Sequence, residues 1–411
     1  MDLDTRRRRT ALFLFFLIPG LSVASWVTRT PDVRDQLGAS TAQMGLVLFG
    51  LSVGSMIGIL CSGRLVSRFG TRPVMGGGTV LITVSVAVIG LGAMASSTPL
   101  VTAGLVLFGA GMGGGEVAIN IDGAEVERIT SRTILPTLHG FFSLGTVVGA
   151  AIGILCTAAE VPVQWHLIVV AVVTTVMFGY AIRSVPAGVG KAPGGPKTRD
   201  TADGAAEAKV WRDRQLLLLG GIILAMALAE GAANDWLPLL MVDGHDMDPA
   251  LGSAVYTGFA ASMTIGRFVG GFFIGRLGRK PVVRASAISA TIGIALVVFS
   301  DSAALASAAV LFWGLGASLG FPVALSAAGD SGSGENSAAR VSLVAMLGYV
   351  AFLVGPPCLG FLGDHYGLRT AMVVVLVFTT LAIFLAPAVG SRSSSKVAVQ
   401  PEGERSRERC E

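Results

Sequence analysis

The chain has 411 residues, of which 52% are hydrophobic and 14% are charged, whereas a soluble domain carries about 25% charged residues. The net charge of +4 gives no reason to expect a nucleic-acid partner. The cysteines, Cys61, Cys156, Cys358 and Cys410, lack the spacing of a metal or redox site. Composition therefore favours an integral membrane protein without a metal or other cofactor.

Twelve apolar stretches are long enough to cross about 30 Å of hydrocarbon as α-helices. Six precede and six follow a polar stretch, so we predict an all-α membrane protein made of two pseudo-symmetric six-helix bundles. The predicted spans are 10–28, 41–61, 73–94, 99–122, 134–158, 163–183, 215–240, 251–274, 282–300, 302–327, 339–361 and 369–390.

The polar stretch at 185–214 is rich in Gly, Pro and charged residues, a composition typical of a flexible linker. We therefore predict one bundle within residues 1–184 and the other within 215–390. The remaining residues, 391–411, are polar and are expected to form a disordered tail.

Positive charges define the expected orientation. The first span follows the four arginines at 6–9, and eleven further spans favour a retained helix over a cleaved secretory signal. If the N-terminus is cytoplasmic, the outer loops keep only Arg29, Arg34 and Arg369 as basic residues, while Arg267 lies within a span. The positive-inside rule then predicts that both termini lie in the cytoplasm.

The outer end of span one carries two candidate side chains. The indole of Trp26 could stack on a sugar-like ring, but Trp is also typical of the membrane interface, and we favour the interfacial position. Arg29 is expected either to extend toward the interface or to pair with Asp32.

A basic turn follows span two and recurs 208 residues later, after span eight. The two segments, GRLVSRFGTR and GFFIGRLGRK, share the pattern G-x-x-x-x-R-x-G-x-[RK]. One pattern repeated at half the chain length indicates two structurally similar halves, and we expect each turn to form a loop between spans. The matching positions are Gly63, Arg68, Gly70 and Arg72 in the first turn and Gly271, Arg276, Gly278 and Lys280 in the second.

Glycines repeat as well. Small residues let helices approach closely in lipid, so helix packing alone accounts for them. Span four carries Gly109, Gly111 and Gly115, and span ten carries Gly314, Gly316 and Gly320 in the matching positions.

Span four also carries an acidic residue. Glu116 is costly in lipid unless it is protonated or paired, and it could exchange a proton with a central cavity. The glycines at 113–115 are expected to leave space beside it. The alternative is a structural hydrogen bond between helices. Asn120, one turn later, is a supporting candidate for hydrogen bonding.

Four further polar residues are candidates for a site. His139, near the start of span five, could carry a proton near neutral pH or bond to a neighbouring carbonyl. Glu230 lies about 21 Å along span seven from its inner end, where it could bind solute or pair with another helix. Asn234 is a hydrogen-bonding candidate, and Asp235 is expected to cap or line the outer vestibule.

Two six-span halves with this basic turn after spans two and eight resemble the major facilitator superfamily. Stretches such as GGGEVAINIDGAEVER, LHGFFSLGTVVGA and GLGASLGFPVALSAAG are similar to its fucose-permease-like branch. The resemblance implies a monomeric secondary transporter in a bacterial inner membrane, with a small solute and protons as partners and no cofactor. It also implies that Glu116 is the membrane-embedded glutamate of the pattern E-x-A-x-N, and that His139 occupies a polar site position.

The chain departs from the family pattern in two ways. The family's turn has an acidic residue just before its central arginine, which the resemblance assigns to the cytoplasmic gate; here Ser67 and Gly275 replace it. Exporters of the superfamily usually carry a Gly-Pro motif in span five, but here Gly355-Pro356-Pro357 lies in span eleven. The first difference weakens the expected latch, and the second disfavours antiport.

The sequence contains no nucleotide-binding loop and no nucleophile triad, so we expect neither ATP-driven transport nor an enzyme. The predicted function is proton-coupled import of a small polar, sugar-like solute. One alternative is proton-driven export of a drug-like or secondary metabolite. Another is a membrane sensor that kept the fold and lost transport. The missing gate carboxylates favour the sensor, whereas Glu116 and Glu230 oppose it.

Overall fold

The computed structural model describes residues 3–130, 134–191, 213–331 and 337–390. Within these ranges the chain forms thirteen α-helices and no strand. The helices are α1 Leu3–Val27, α2 Thr30–Leu37, α3 Thr41–Phe69, α4 Thr71–Met94, α5 Thr98–Thr130, α6 Leu135–Ala158, α7 Val163–Ala181, α8 Arg214–His245, α9 Pro249–Leu277, α10 Arg279–Phe299, α11 Ala303–Asp330, α12 Ser337–Tyr366 and α13 Leu368–Leu385.

All of these helices except the short α2 are long and apolar enough to cross a membrane, which makes 12 spans in the described residues. The predicted spans are therefore confirmed. Several helices continue beyond the predicted limits: α1 begins at Leu3, α3 reaches Phe69 and α5 reaches Thr130. Charged residues end an apolar stretch, but they do not end a helix once it has left the lipid.

The helices pair in the same way in both halves. α1 packs on α6, while α3 and α4 pack on α5; likewise α8 packs on α12, while α9 and α10 pack on α11. The predicted pair of pseudo-symmetric bundles is thus confirmed. The predicted linker at 185–214 lies largely outside the described residues and the tail at 391–411 wholly outside them. We call the side of the molecule on which α1 begins and α13 ends the terminal face, and the opposite side the distal face.

The repeated glycines explain how α5 and α11 approach their neighbours. A Cβ on Gly109 would lie 2.0 Å from the backbone oxygen of Leu51 on α3, and one on Gly314 would lie 2.5 Å from that of Phe259 on α9. Both distances are far inside van der Waals contact, so a side chain at either position would force the helices apart. The equivalent partners support the repeat inferred from the sequence.

Each basic turn is much tighter than the expected loop. Helix α3 runs through Gly63 to Phe69 and α4 begins at Thr71, so Gly70 stands alone between them with a φ of +88°. Gly278 separates α9 from α10 in the same way, with a φ of +81°. The expectation of a loop is wrong because one glycine with a positive φ is enough to turn the chain from one helix into the next.

The central arginines of the two turns stack on aromatic rings of their own helices. The guanidinium carbon of Arg68 lies 5.1 Å from the ring centre of Phe69, and that of Arg276 lies 4.3 Å from the ring centre of Phe272. Each arginine therefore has a cation–π partner, although the acidic residue that the family places beside it is absent here.

A buried carboxylate that the sequence analysis passed over ties three helices together near the terminal face. Asp122 on α5 accepts hydrogen bonds from Arg8 Nε at 2.8 Å and from Thr71 Oγ1 at 2.7 Å. In the second half, Arg340 Nη2 donates to Asp213 Oδ2 at 2.6 Å and so ties α12 to the start of α8. Each buried charge therefore has a partner, which removes most of the penalty for burying it.

The two halves are held together at the distal face. Asp364, near the end of α12, accepts a hydrogen bond of 3.3 Å from the backbone nitrogen of Ala42 in the first turn of α3. A carboxylate at a helix N-terminus is favourable because it faces unpaired N–H groups. Arg34 on α2 also forms an ion pair with Asp243 on α8.

Helices α3 and α12 continue this contact toward the middle of the molecule. A Cβ on Gly360 would lie 2.8 Å from the Cα of Gly45, and Ser52 Oγ donates to the backbone oxygen of Phe352 at 2.6 Å. Among the described residues, the hydrogen bonds that join the halves lie at the distal face or midway, and none lies at the terminal face.

Candidate functional site

A cavity of about 890 Å³ lies between the two halves. Its wall is formed mainly by α1, α3 to α6, α8, α9, α11 and α12, and it extends to Arg279 and Ser326 near the terminal face. Because hydrogen bonds between the halves close the distal side, the cavity opens toward the terminal face. Both bundles therefore enclose one shared site.

Most of the cavity wall is apolar. In such surroundings an ionisable side chain is expensive as an unpaired charge, so each one that is present calls for an explanation. Five phenylalanines line the cavity, namely Phe15, Phe16, Phe142, Phe321 and Phe352, together with Tyr256 and Tyr349.

Glu116 and His139 reach the cavity from the first half. The side chain of Glu116 on α5 is exposed to the cavity, and its carboxylate makes no hydrogen bond or ion pair with the described residues. His139 on α6 also lines the cavity and packs edge-on against Phe16, with 4.8 Å between ring centres. The structure thus brings two predicted proton carriers to one site, and the alternative hydrogen bond from Glu116 to a neighbouring helix is not formed there.

The glycines before Glu116 have two roles. A Cβ on Gly113 would lie 2.5 Å from the backbone oxygen of Ser55, so this glycine lets α5 pack closely on α3. A Cβ on Gly115 would lie 3.7 Å from the Cα of Gly78 on α4, which is ordinary van der Waals contact. Gly113 and Gly115 also line the cavity beside Glu116, in keeping with the space expected there.

In the second half, Glu230 is paired with an arginine to which the sequence analysis gave no role. Arg267 Nη2 on α9 donates to Glu230 Oε1 on α8 at 2.8 Å, and both side chains line the cavity. The Arg267 side chain is 38% exposed and that of Glu230 17%. An arginine inside a predicted span is as unusual as a glutamate, and this signal could have identified Arg267 from the sequence.

Two neighbours of Glu230 on α8 also line the cavity. Asn234 Oδ1 accepts a hydrogen bond from the hydroxyl of Tyr256 at 3.3 Å. Asp235 is half-buried in the wall of the central cavity. The expectation that it lies in an outer vestibule is therefore wrong. The reason is that α8 continues to His245, which leaves Asp235 well inside the helix.

Two predicted site residues, Trp26 and Asn120, do not line the cavity that the described residues form. Trp26 is 1% exposed and packs within the hydrophobic core, so it occupies neither a solute site nor the membrane interface. The expected pairing of Arg29 with Asp32 is present, with 3.0 Å between Nε and Oδ2. Burial raises the pKa of the Asp32 carboxyl, and the positive charge of Arg29 acts against that rise.

Two six-helix bundles that enclose one central cavity with ionisable side chains define the class of membrane-spanning solute transporters. The model of the Major Facilitator Superfamily matches residues 11–254 and 236–409. The chain belongs to this family, as the sequence motifs indicated.

Known proteins similar to this chain agree with that assignment. The uncharacterized transporter y4wD of Sinorhizobium fredii is 31% identical over 376 residues, which cover 90% of this chain and 95% of the relative. The nucleoside transporter NupG superposes with a TM-score of 0.77 at 12% identity, covering 94% of this chain and 99% of NupG. The E. coli fucose:proton symporter superposes with a TM-score of 0.63 at 16% identity, covering 93% and 98%.

At these low identities the two solved structures show the fold alone. The family and the relative at 31% identity are both transporters, so this protein carries a small-molecule solute across a membrane and is not an enzyme. The sensor alternative is thereby set aside.

Proposed function

We propose that this transporter is a proton symporter that imports a small polar solute by alternating access. The observation that carries the proposal is that Glu116, His139 and Glu230 line one cavity between the halves. An acid inside the membrane can link proton binding to solute binding, because the cost of its charged form depends on what else occupies the cavity.

The proposed setting is a bacterial inner membrane, with a monomeric protein whose termini both lie in the cytoplasm. Support comes from the basic residues, which cluster near the terminal face, and from the cavity, which one chain encloses by itself. In this orientation the cavity of the described structure is open to the cytoplasm.

Export of an amphipathic compound in exchange for protons is the second candidate. The cavity wall is mostly apolar and includes five phenylalanine rings, and neither Trp26 nor Asn120 lines it. A sugar-like solute needs several hydrogen-bonding partners, whereas a wall of this kind favours a solute with a large apolar surface.

Reconstituted vesicles with an imposed pH gradient test both candidates. Uptake and efflux are measured for a panel of sugars and lipophilic cations, with protein-free vesicles and a protonophore as controls. Symport predicts that solute accumulates on the side toward which protons flow, and antiport predicts the opposite. Transport that is unaffected when the gradient is collapsed rejects proton coupling.

A further inference from the structure

Arg267 carries a positive charge within the membrane-spanning helix α9, and most of its N–H groups have no hydrogen-bond acceptor among the described residues. A guanidinium group carries five N–H donors. Among the described residues, only Nη2 of Arg267 donates, to Glu230 at 2.8 Å. The side chain is 38% exposed to the cavity, so its other donors are available to a second acceptor.

A second acceptor lies in the opposite half. Glu116 on α5 and His139 on α6 line the same cavity as Arg267. Next to these residues α6 contacts α9, since a Cβ on Gly140 would lie 3.1 Å from the ring of Phe268. The carboxylate of Glu116 has no hydrogen-bond donor among the described residues. An unpaired carboxylate in a mostly apolar cavity is costly, and a planar guanidinium can bind two carboxylates through its separate edges.

Resting on the proposed proton coupling, we propose that Arg267 is the counter-ion of Glu116 and that the charge state of Glu116 decides how Arg267 divides its hydrogen bonds. With Glu116 protonated, Arg267 pairs with Glu230 alone, which is the pairing in the structure. When Glu116 releases its proton to water in the cavity, the guanidinium moves between the two carboxylates.

This change acts across the interface between the halves. Glu116 belongs to α5 of the first half, whereas Arg267 and Glu230 belong to α9 and α8 of the second. The attraction crosses the cavity, so it is strongest when the walls are close together and no solute separates them. Arg267 therefore couples proton release by Glu116 to closure of an empty cavity.

Other ionisable groups line the same cavity and must be distinguished from Arg267. Arg279 offers a matched control, because it is an arginine of this cavity with an acid of its own, Asp330 at 2.6 Å. The groups that face the site from the surrounding helices are His139 on α6, Asp235 on α8, Tyr256 on α9, Arg279 on α10 and Tyr349 on α12.

The test measures the protonation of Glu116 without any solute. Dicyclohexylcarbodiimide reacts with protonated carboxyl groups in apolar surroundings, and its adduct on Glu116 is quantified by mass spectrometry in the purified full chain across a pH series. Glu116→Gln identifies the signal. In Arg267→Gln the pH of half-maximal labelling should rise by about one unit or more, because an acid that loses a nearby positive charge keeps its proton to higher pH.

Three further variants sharpen the result. Arg267→Lys retains the charge and should label nearly as the wild type does. Glu230→Gln should lower the midpoint, because the guanidinium loses its competing partner. Loss of folding cannot mimic the rise expected in Arg267→Gln, because a glutamate exposed to water titrates at about 4.3. Arg279→Gln should leave the midpoint unchanged. An unshifted midpoint in Arg267→Gln, or an equal shift in Arg279→Gln, overturns the proposal.

The outcome is separable from that of the proposed function. A shifted midpoint in a protein whose transport ignores the pH gradient supports the ion pairing and rejects proton coupling. Gradient-driven transport by a protein with an unshifted midpoint supports proton coupling and rejects Arg267 as the counter-ion.

Discussion

Glu116, Glu230 and Arg267 are charged or titratable side chains in a mostly apolar cavity, which His139, Asp235 and Arg279 also line. Arg267 and Glu230 neutralise each other through a hydrogen bond of 2.8 Å, whereas Glu116 has no partner among the described residues. The three groups together are neutral only when Glu116 carries a proton. A mostly apolar wall favours that neutral state. Among these three residues, Glu116 is therefore the one expected to gain or lose a proton.

Glu116→Gln should abolish accumulation driven by a pH gradient and preserve solute exchange at equal pH. Glutamine mimics the protonated acid. The protein can therefore still change between its inward-open and outward-open conformations, but it can no longer release a proton at this position. The measurement compares accumulation with counterflow in the same vesicles, using whichever solute the panel identifies. Ser143→Ala, a change in the same cavity wall that removes no charge, is the control.

A Glu116→Gln protein that still accumulates solute against a gradient would make Glu116 a structural residue. Glu230 and His139 would then be the next candidates for the proton carrier, because both line the same cavity.

Side chains at helix ends tie neighbouring helices of one bundle together. Asp213 precedes α8, and its Oδ1 accepts a hydrogen bond of 2.9 Å from the backbone nitrogen of Gln215 while Oδ2 accepts one from Arg340. Burial alone would raise the pKa of Asp213, but the hydrogen bonds from Arg340 and the helix N–H groups outweigh it and hold the pKa below its usual value.

Replacing Asp213 by alanine should lower the free energy of unfolding by about 1 kcal/mol through loss of the cap. Asp213→Asn should cost less, because asparagine also caps a helix. A carboxyl group with a lowered pKa stabilises the folded state above its unfolded pKa of about 3.9 and loses that effect as the pH falls. The stability difference between wild type and Asp213→Asn, measured by thermal unfolding, should therefore shrink between pH 5 and pH 3. A difference that is constant over this range excludes the ionised pair.

The basic turns allow a test of gating, because both positions that lack the family's acid have room for one. Ser67 is half-buried and its hydroxyl donates to the backbone oxygen of Arg64, whereas Gly275 is exposed and a Cβ there would meet no atom within 4 Å. Ser67→Asp or Gly275→Asp should favour the conformation that is closed at the terminal face, by about 1 kcal/mol, because the turn regains a charge that can bind basic residues and a helix N-terminus.

The shift is measured as reduced labelling of a cysteine introduced at Ser326, which lines the cavity near the terminal face. Ser67→Asn is the uncharged control. If the labelling rate is the same in both acidic variants as in the parent protein, the turn has no gating role of this kind.

At the scale of the whole molecule, two bundles meet at the distal face and leave the terminal face open. The contact of α3 with α12 is so close that a Cβ on Gly360 would lie 2.8 Å from the Cα of Gly45. Alternating access requires this contact to separate, since the cavity has to open on the other side during each cycle.

A reversible cross-link at this contact should stop transport. Thr41 and Gly363 face each other across this contact, since a Cβ on Gly363 would lie 3.0 Å from Thr41 Cγ2. Thr41→Cys combined with Gly363→Cys, in a protein whose natural cysteines are replaced by serine, should form a disulfide on oxidation and lose at least about nine tenths of solute flux, because the cavity can no longer open at the distal face. Reduction should restore the flux. Each single cysteine variant treated with oxidant is the control, and undiminished flux in the cross-linked protein would exclude opening between α3 and α12.

The number of spans, their approximate limits, the repeat between the halves and the family could all be predicted from the amino-acid sequence. These properties depend on local hydropathy and on a turn pattern, and both are written within a few tens of consecutive residues. Five of the predicted site residues on α5, α6 and α8 also line the cavity, namely Glu116, His139, Glu230, Asn234 and Asp235. They were identifiable because a polar side chain inside an apolar span is rare.

Which side of each helix faces the cavity could not be predicted from the sequence and became clear from the packing of the helices. Lipid and protein interior are both apolar, so a spanning helix lacks the polar stripe that reveals its buried face in a soluble protein. For that reason the sequence left Trp26 at the membrane interface, assigned Asp235 to an outer vestibule and gave Arg267 no role. The pairing of Arg267 with Glu230 joins two helices, and it exists only because the packing of α8 against α9 brings these side chains to the same cavity.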